Sequence, residues 1–125
     1  MIEGLNHFTV IAEDYGRTLA FYTQLVGLRD GPRPDLGFPG GWLYAGDRAI
    51  VHVYADRPVP AQRASVIDHI AFTARGLKET KARFDATGTP YELRRQRGAG
   101  TWQLFCNDPN GARVELDFDP AEAAP

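Results

Sequence analysis

Four side chains able to hold a cation or move a proton sit at related places in this chain: His7, His52, His69 and Glu115. Each falls in a segment rich in strand-forming residues, where successive side chains point to opposite faces of a sheet. Phe8 and Val10 oppose His7, Val51 and Val53 oppose His52, Ile70 and Phe72 oppose His69, and Val114, Leu116 and Phe118 oppose Glu115. His7 and His52 are 45 residues apart, and His69 and Glu115 are 46 apart. Taken singly, a histidine in a strand is most often a hydrogen-bonded structural residue, and Glu115 would suit a solvated face. Taken together, they occupy equivalent places in two halves. If the halves pair about a pseudo-twofold axis, with sheets curved around a cleft, the four converge. Imidazole and carboxylate donors suit Zn²⁺, Fe²⁺, Mn²⁺, Ni²⁺ or Co²⁺, and two histidines plus one carboxylate leave positions open for substrate oxygens.

The elements that must position these groups repeat along the chain. Leu5 to Ile11 reads as a strand, Asp14 as the N-cap of a helix carrying Leu19, Phe21, Tyr22 and Leu25, and Gly27 as its terminator. A short extended piece follows at Leu28 to Asp30, then a Pro- and Gly-broken loop. Strands at Trp42 to Ala45 and Ala49 to Tyr54 are joined by the Gly46-Asp47 turn. After a stretch with no periodicity the order recurs: strand Val66 to Thr73, helix Leu77 to Ala86 stopped near Gly88, strand Tyr91 to Arg95, and a hairpin of Thr101 to Cys106 with Ala112 to Phe118. The hairpin turns through Asn107-Asp108-Pro109-Asn110-Gly111. Leu5-Asn6-His7-Phe8-Thr9 matches Ile67-Asp68-His69-Ile70-Ala71 at an offset of 62. The expected architecture is therefore α+β: a single domain, residues 1–125, made of two βαβββ modules forming curved mixed sheets around a cleft. The first module is 1–55, the linker 56–66 and the second module 67–120. The tail from Pro120 is expected to fray.

Composition bounds the partners. The 125 residues suffice for one domain and leave no room for a separate nucleotide-binding domain. A hydrophobic share of 43% and charged share of 24% describe an ordinary globular chain, so disorder is not expected. The net charge of −2 supplies no basic surplus for phosphate backbones or anionic lipid, which argues against nucleic acid and membrane partners. No apolar run approaches the roughly 20 residues that span a bilayer, and the first residues resemble no signal core, so a cytoplasmic location is expected. The single Cys106 cannot form an intrachain disulfide and reads as a buried small hydrophobe. Asp47, Arg57, Glu79 and Lys81 are assigned to solvent. Gly40-Gly41 and Gly98-Ala99-Gly100 lack the strand–loop–helix setting of a phosphate loop and read as turns or rims.

Beyond these patterns, the chain resembles the vicinal oxygen chelate superfamily, the glyoxalase, fosfomycin-resistance and extradiol-dioxygenase relatives. The resemblance runs through Leu5-Asn6-His7-Phe8-Thr9-Val10, Thr18-Leu19-Ala20-Phe21-Tyr22 with Leu25-Val26-Gly27-Leu28, Ile67-Asp68-His69-Ile70-Ala71-Phe72, and Asp108-Pro109-Asn110-Gly111-Ala112-Arg113-Val114-Glu115-Leu116. It implies paired βαβββ modules, often a homodimer, and metal ligands at His7, His69 and Glu115. It further implies one divalent ion (Zn, Ni, Mn, Fe or Co) that takes two adjacent oxygens of a small-molecule substrate and stabilises the charge developing on them.

Such folds host several chemistries. The expected function is a metal-dependent lyase or isomerase of the glyoxalase type, with Glu115 and His52 as catalytic candidates. His52 departs from the carboxylate or amide usual at its position, so a fourth ligand, an acid–base group and a wall residue stay open for it. Thr9, Trp42, Gln103 and Phe105 are expected to bind substrate. Thr101 and Tyr44 are further lining candidates. Where ring-cleaving dioxygenases carry a tyrosine this chain has Phe105, which weakens that reading. The alternatives are a metal-independent binding protein of the bleomycin-resistance kind, or a dioxygenase or fosfomycin-type thiol transferase, for which Arg94, Arg95 and Arg97 are the nearby basic cluster.

Overall fold

The β-branched and aromatic segments pair as two separate four-stranded sheets in a computed structural model that describes residues 1–63 and 65–125. The backbone divides into two units, Met1–Ala61 and Gln62–Pro125. The expected linker, 56–66, straddles that division, and its Ala64 lies outside the described residues.

In the first unit β1 (Phe8–Ile11), β2 (Arg29–Gly31), β3 (Gly40–Ala45) and β4 (Arg48–Tyr54) form a sheet in the order β1-β4-β3-β2. β1 runs parallel to β4 and the other pairs are antiparallel. A parallel pair needs a long crossover, and the helical segment after β1 begins it. Asp14 caps α1 (Tyr15–Ala20) as expected, its Oδ1 accepting from the Arg17 amide at 3.0 Å. The chain then widens into a π turn over Phe21–Leu25, in which the Val26 amide reaches the Phe21 carbonyl. Phe21, Tyr22 and Leu25 are buried with Leu43, Val51 and Val53, the sheet's inward set. Burying each such side chain contributes about 1.5–3 kcal/mol before chain entropy is counted.

The second unit repeats this plan. β5 (Ile70–Ala74), β6 (Tyr91–Arg95), β7 (Trp102–Asn107) and β8 (Arg113–Phe118) lie in the order β5-β8-β7-β6, with β5 parallel to β8. α2 (Leu77–Thr87) buries Leu77, Thr80 and Phe84, and Gly88, at φ +64°, ends it in the left-handed conformation. Leu104, Val114, Leu116 and Phe118 complete this core. Asp108 builds the β7–β8 turn, its Oδ1 accepting from the amides of Asn110 (2.8 Å) and Ala112 (2.9 Å).

Two expectations are corrected. His7 and His69 do not lie within strands; each sits one residue before one, because the ladders start only at Phe8 and Ile70. The tail does not fray: Glu122 receives the amides of Gly76 (3.1 Å) and Leu77 (2.7 Å), capping α2 where the sequence offers no N-cap side chain, and the Trp102 indole donates to the Glu122 carbonyl.

Candidate functional site

The second unit brings together His69, Glu115, Gln103 and Phe105. Glu115 lies opposite Ala71 on the parallel β5–β8 ladder and opposite Phe105 on β7. Only 3% of it is exposed, so it is a buried acid rather than a solvated one. His69 Nε2 stands 2.7 Å from Glu115 Oε2, and the Gln103 amide donates to Glu115 Oε1. Phe105 meets the His69 ring edge-on at 5.8 Å between centroids. On the other side of the imidazole, Nδ1 bonds Asp68 Oδ2 at 2.7 Å, and the same oxygen takes Arg113 Nη1 at 3.0 Å. The Arg94 and Arg113 guanidinium groups lie 4.4 and 4.7 Å from the Phe105 centroid.

This arrangement fixes a proton. Asp68 is held below the usual carboxylate range first by its bond to His69 and then by Arg113, so it acts as acceptor and Nδ1 as donor. The 2.7 Å contact between Nε2 and Oε2 then requires one further proton, on either the ring or the acid. Glu115 is pushed upward, first by burial and then by the neighbouring Asp117, against the opposing pull of Gln103 and His69. A buried acid of raised pKa facing an oriented imidazole can give up or take that proton.

The first unit orients its histidine likewise. His7 Nδ1 lies 2.6 Å from Asn6 Oδ1, an oxygen that can only accept, so Nδ1 is the donor and Nε2 is turned away from Asn6. The His52 ring is stacked between His7 (3.7 Å, 11°) and Trp42 (4.3 Å, 14°). β3–β4 register sets Trp42 opposite His52, and β1–β4 register sets the exposed Thr9 opposite His52. Burial lowers the His52 pKa, with His7 and Arg33 adding to the effect. Of the other lining candidates, Tyr44 donates to the Pro32 carbonyl at 2.6 Å, and the Thr101 carbonyl receives the Gln96 amide at 2.8 Å.

Among the described residues no group of three or more His, Cys, Asp and Glu side chains is assembled that could hold a metal ion. The donors that are paired nonetheless suit one. Ligand atoms at about 2.0–2.2 Å from a divalent ion, at right angles, are about 3 Å apart, close to the 2.7 Å of the His69–Glu115 pair. A carboxylate on the far nitrogen of a histidine is the usual outer support of a metal-bound imidazole. Asp68 stands where such a support would, and the Asn6 amide oxygen takes the matching place on His7; sequence reasoning assigned neither. Their signal was present, since the offset of 62 that pairs His7 with His69 also pairs Asn6 with Asp68.

Two βαβββ sheets of matching strand order, each preceded by an oriented histidine, define the glyoxalase-like class of fold. The chain belongs to the Glyoxalase/Bleomycin resistance protein/Dioxygenase superfamily, whose family model matches residues 4–116. It is similar to Glyoxylase I 4 of Arabidopsis thaliana, at 26% identity over 122 residues, covering 92% of this chain and 70% of that protein. Two solved structures share its fold. One is lactoylglutathione lyase of Agrobacterium tumefaciens (20% identity, 98% of each chain covered, TM-score 0.68). The other is a variant of the fosfomycin resistance protein FosX of Listeria monocytogenes, complexed with Mn(II) and a dihydroxypropylphosphonic acid (18% identity, 95% and 94% covered, TM-score 0.76). Among the described residues no helix is long and apolar enough to cross a membrane.

Proposed function

We propose that the protein is a metal-dependent, glyoxalase-like lyase or isomerase acting on a small molecule with neighbouring oxygens. The observation that carries this reading is the Asp68–His69–Glu115–Gln103 chain of hydrogen bonds. It presents one imidazole nitrogen and one buried acid side by side, with the ring's other nitrogen already engaged. The similarity to Glyoxylase I 4 of Arabidopsis thaliana supports the same class.

In this reading His7, His69 and Glu115 would hold one divalent ion (Zn, Ni, Mn, Fe or Co). The ion, when bound, polarises the substrate oxygens and lowers the energy of negative charge on them. Everything else is done by side chains. Asn6 and Asp68 fix the orientation of the two rings. Gln103 holds one carboxylate oxygen of Glu115, and Oε2, facing His69, would take a proton from substrate carbon and return it to a neighbouring one, the burial that pushes Glu115 upward making it the stronger base. His52, flat between two rings and pushed toward the neutral form, acts as a wall and brace beside Trp42. Thr9 and Phe105 complete the contacts with substrate. The protein works in the cytoplasm as a homodimer.

The test is an assay of chelator-treated protein against hemithioacetals of 2-oxoaldehydes, with and without each of the five metals. Turnover restored by at least one metal, and abolished in Glu115→Gln, is expected. Failure of every metal, with small-molecule binding undiminished by the chelator, would replace the reading with a bleomycin-resistance-like binding protein.

A further inference from the structure

His7 and His69 each stand just ahead of the ladder that would fix them, and apolar burial anchors neither approach: Leu5 is 76% exposed and Ile67 68%. An arginine takes that part in each unit. In the first, Arg48 opens β4, and its Nη2 donates to the Leu5 carbonyl at 2.9 Å. In the second, Arg113 opens β8, and its Nη1 donates to Asp68 Oδ2 at 3.0 Å. Both contacts join a cationic donor to an oxygen, the stronger kind of hydrogen bond.

The two arginines hold corresponding places. Each is the first residue of the last strand of its unit, and that strand is the parallel partner of the one the histidine precedes. Phe8 pairs with Val51, and Leu5 and Arg48 keep the same separation of 43 residues, so Arg48 bonds the residue it would face if the ladder ran further back. Ile70 pairs with Val114; Arg113 immediately precedes Val114, and Asp68 lies two positions before Ile70. The route from each arginine to its ring is short. Arg48 pins the peptide joining Leu5 to Asn6, and Asn6 Oδ1 accepts from His7 Nδ1 at 2.6 Å. Arg113 pins the Asp68 carboxylate, which accepts from His69 Nδ1 at 2.7 Å. The Arg113 guanidinium also lies 4.7 Å from the centroid of Phe105, the ring that meets His69 edge-on.

We propose that Arg48 and Arg113 are positioning residues for His7 and His69. Each reaches from the entry of its unit's last strand to the residues ahead of a histidine and so fixes the ring where the ladder has not yet begun. Rings held in this way lose little further freedom when a ligand binds. This deepens the proposed function by naming what steadies its two histidines, and rests on that reading only where metal affinity is measured.

Ring orientation is read from the ¹H and ¹⁵N resonances of the histidine rings in chelator-treated protein. In the wild type His7 should show a single Nδ1–H tautomer, with its ring protons shifted by the His52 ring stacked on it at 3.7 Å. Arg48→Met should average the two His7 tautomers, reduce that shift and leave His69 as it was. Arg113→Met should do the converse, altering the His69 signals and sparing His7. Arg48→Lys and Arg113→Lys keep a donor and should restore most of the wild-type pattern. Zn affinity, by competition with a chromophoric chelator, should fall about three- to tenfold in each Met variant, less than or equal to the low end for loss of a direct outer support. Unchanged His7 signals in Arg48→Met would remove Arg48, whether or not the melting temperature falls, and unchanged His69 signals in Arg113→Met would remove Arg113; both together would leave two surface braces and overturn the proposal. If the wild type binds no metal, the ring signals of the metal-free protein still decide, so failure of the metal reading is told apart from failure of this one. Should a Met variant not fold, Arg48→Gln or Arg113→Gln, too short to span the same distance, replaces it under the same criteria.

Discussion

His69 and Glu115 meet through Nε2 and Oε2 at 2.7 Å, from opposite members of the parallel strand pair in the second unit: His69 just before β5 and Glu115 at the middle of β8. The ladder thus places an imidazole against a buried acid 46 residues away. Asp68, the residue before His69, holds the ring's other nitrogen.

That hold sets a first expectation. Asp68→Ala removes the acceptor on Nδ1 and frees the ring to rotate, so affinity for a divalent ion should fall 10–100-fold, as is typical when the outer support of a metal-bound histidine is lost. Asp68→Asn keeps an acceptor and should lose less. Competition against a chromophoric chelator measures both. Equal affinity in Asp68→Ala and wild type would show that Asp68 serves Arg113 alone.

His52 carries a pH dependence whose sign follows from its environment. Its folded pKa lies below the ordinary 6.5, so between the two values the unfolded chain binds more protons than the native one. Its contribution is complete above about pH 6.5 and is lost as the pH falls toward the lower folded value. In His52→Phe this loss on acidification should be absent. Urea unfolding from pH 8 to pH 5 checks it, and an identical acid-side slope in both proteins would contradict the burial of this ring between His7 and Trp42.

Cys106 is 5% exposed, and burial, with Asp108 adding to it, pushes its thiol up to about 12. The reactive thiolate is therefore scarce in the native protein. Dithionitrobenzoate at pH 8 should leave the folded protein unlabelled and modify it within minutes in concentrated urea. Rapid labelling of the native form would show that β7 opens readily.

Glu122 caps α2 from the far end of its unit, so Glu122→Ala should destabilise the protein by about 1 kcal/mol, the usual worth of a side-chain cap. The melting temperature should drop by a few degrees. Truncation after Pro120 should reproduce the drop. An unchanged melting temperature in both would mean the tail is not docked in solution.

The fold was legible in the sequence wherever one face of an element is apolar. The alternation Val114, Leu116, Phe118 against Arg113, Glu115, Asp117 set the face of β8, and Asp14 marked the start of α1. What escaped detection depends on residues distant in sequence or on single hydrogen bonds. Glu122 reaches α2 across 46 residues, and no local pattern at Gly76 announces it. The buried state of Glu115 depends on Gln103 and Phe105 from β7, so a charge that reads as solvated from its own strand proves covered. Arg57, assigned to solvent, is exposed, and its guanidinium also lies over Tyr54 and near Phe38, a contact no local pattern announces. The family was readable from the segments around His7 and His69 together with Thr18–Leu28 and Asp108–Leu116. The supporting roles of Asn6 and Asp68 required side-chain geometry.

The most direct test of the proposed metal centre is the metal content of purified protein after equilibrium dialysis against Zn, Ni, Mn, Fe or Co, compared among wild type, His7→Ala, His69→Ala and Glu115→Ala. One ion per chain is expected in the wild type for at least one metal, with a loss of binding in all three variants. Equal metal in the wild type and any one of them would remove that residue from the ligand set, and equal metal in all four would end the reading of this protein as a glyoxalase-like metalloenzyme.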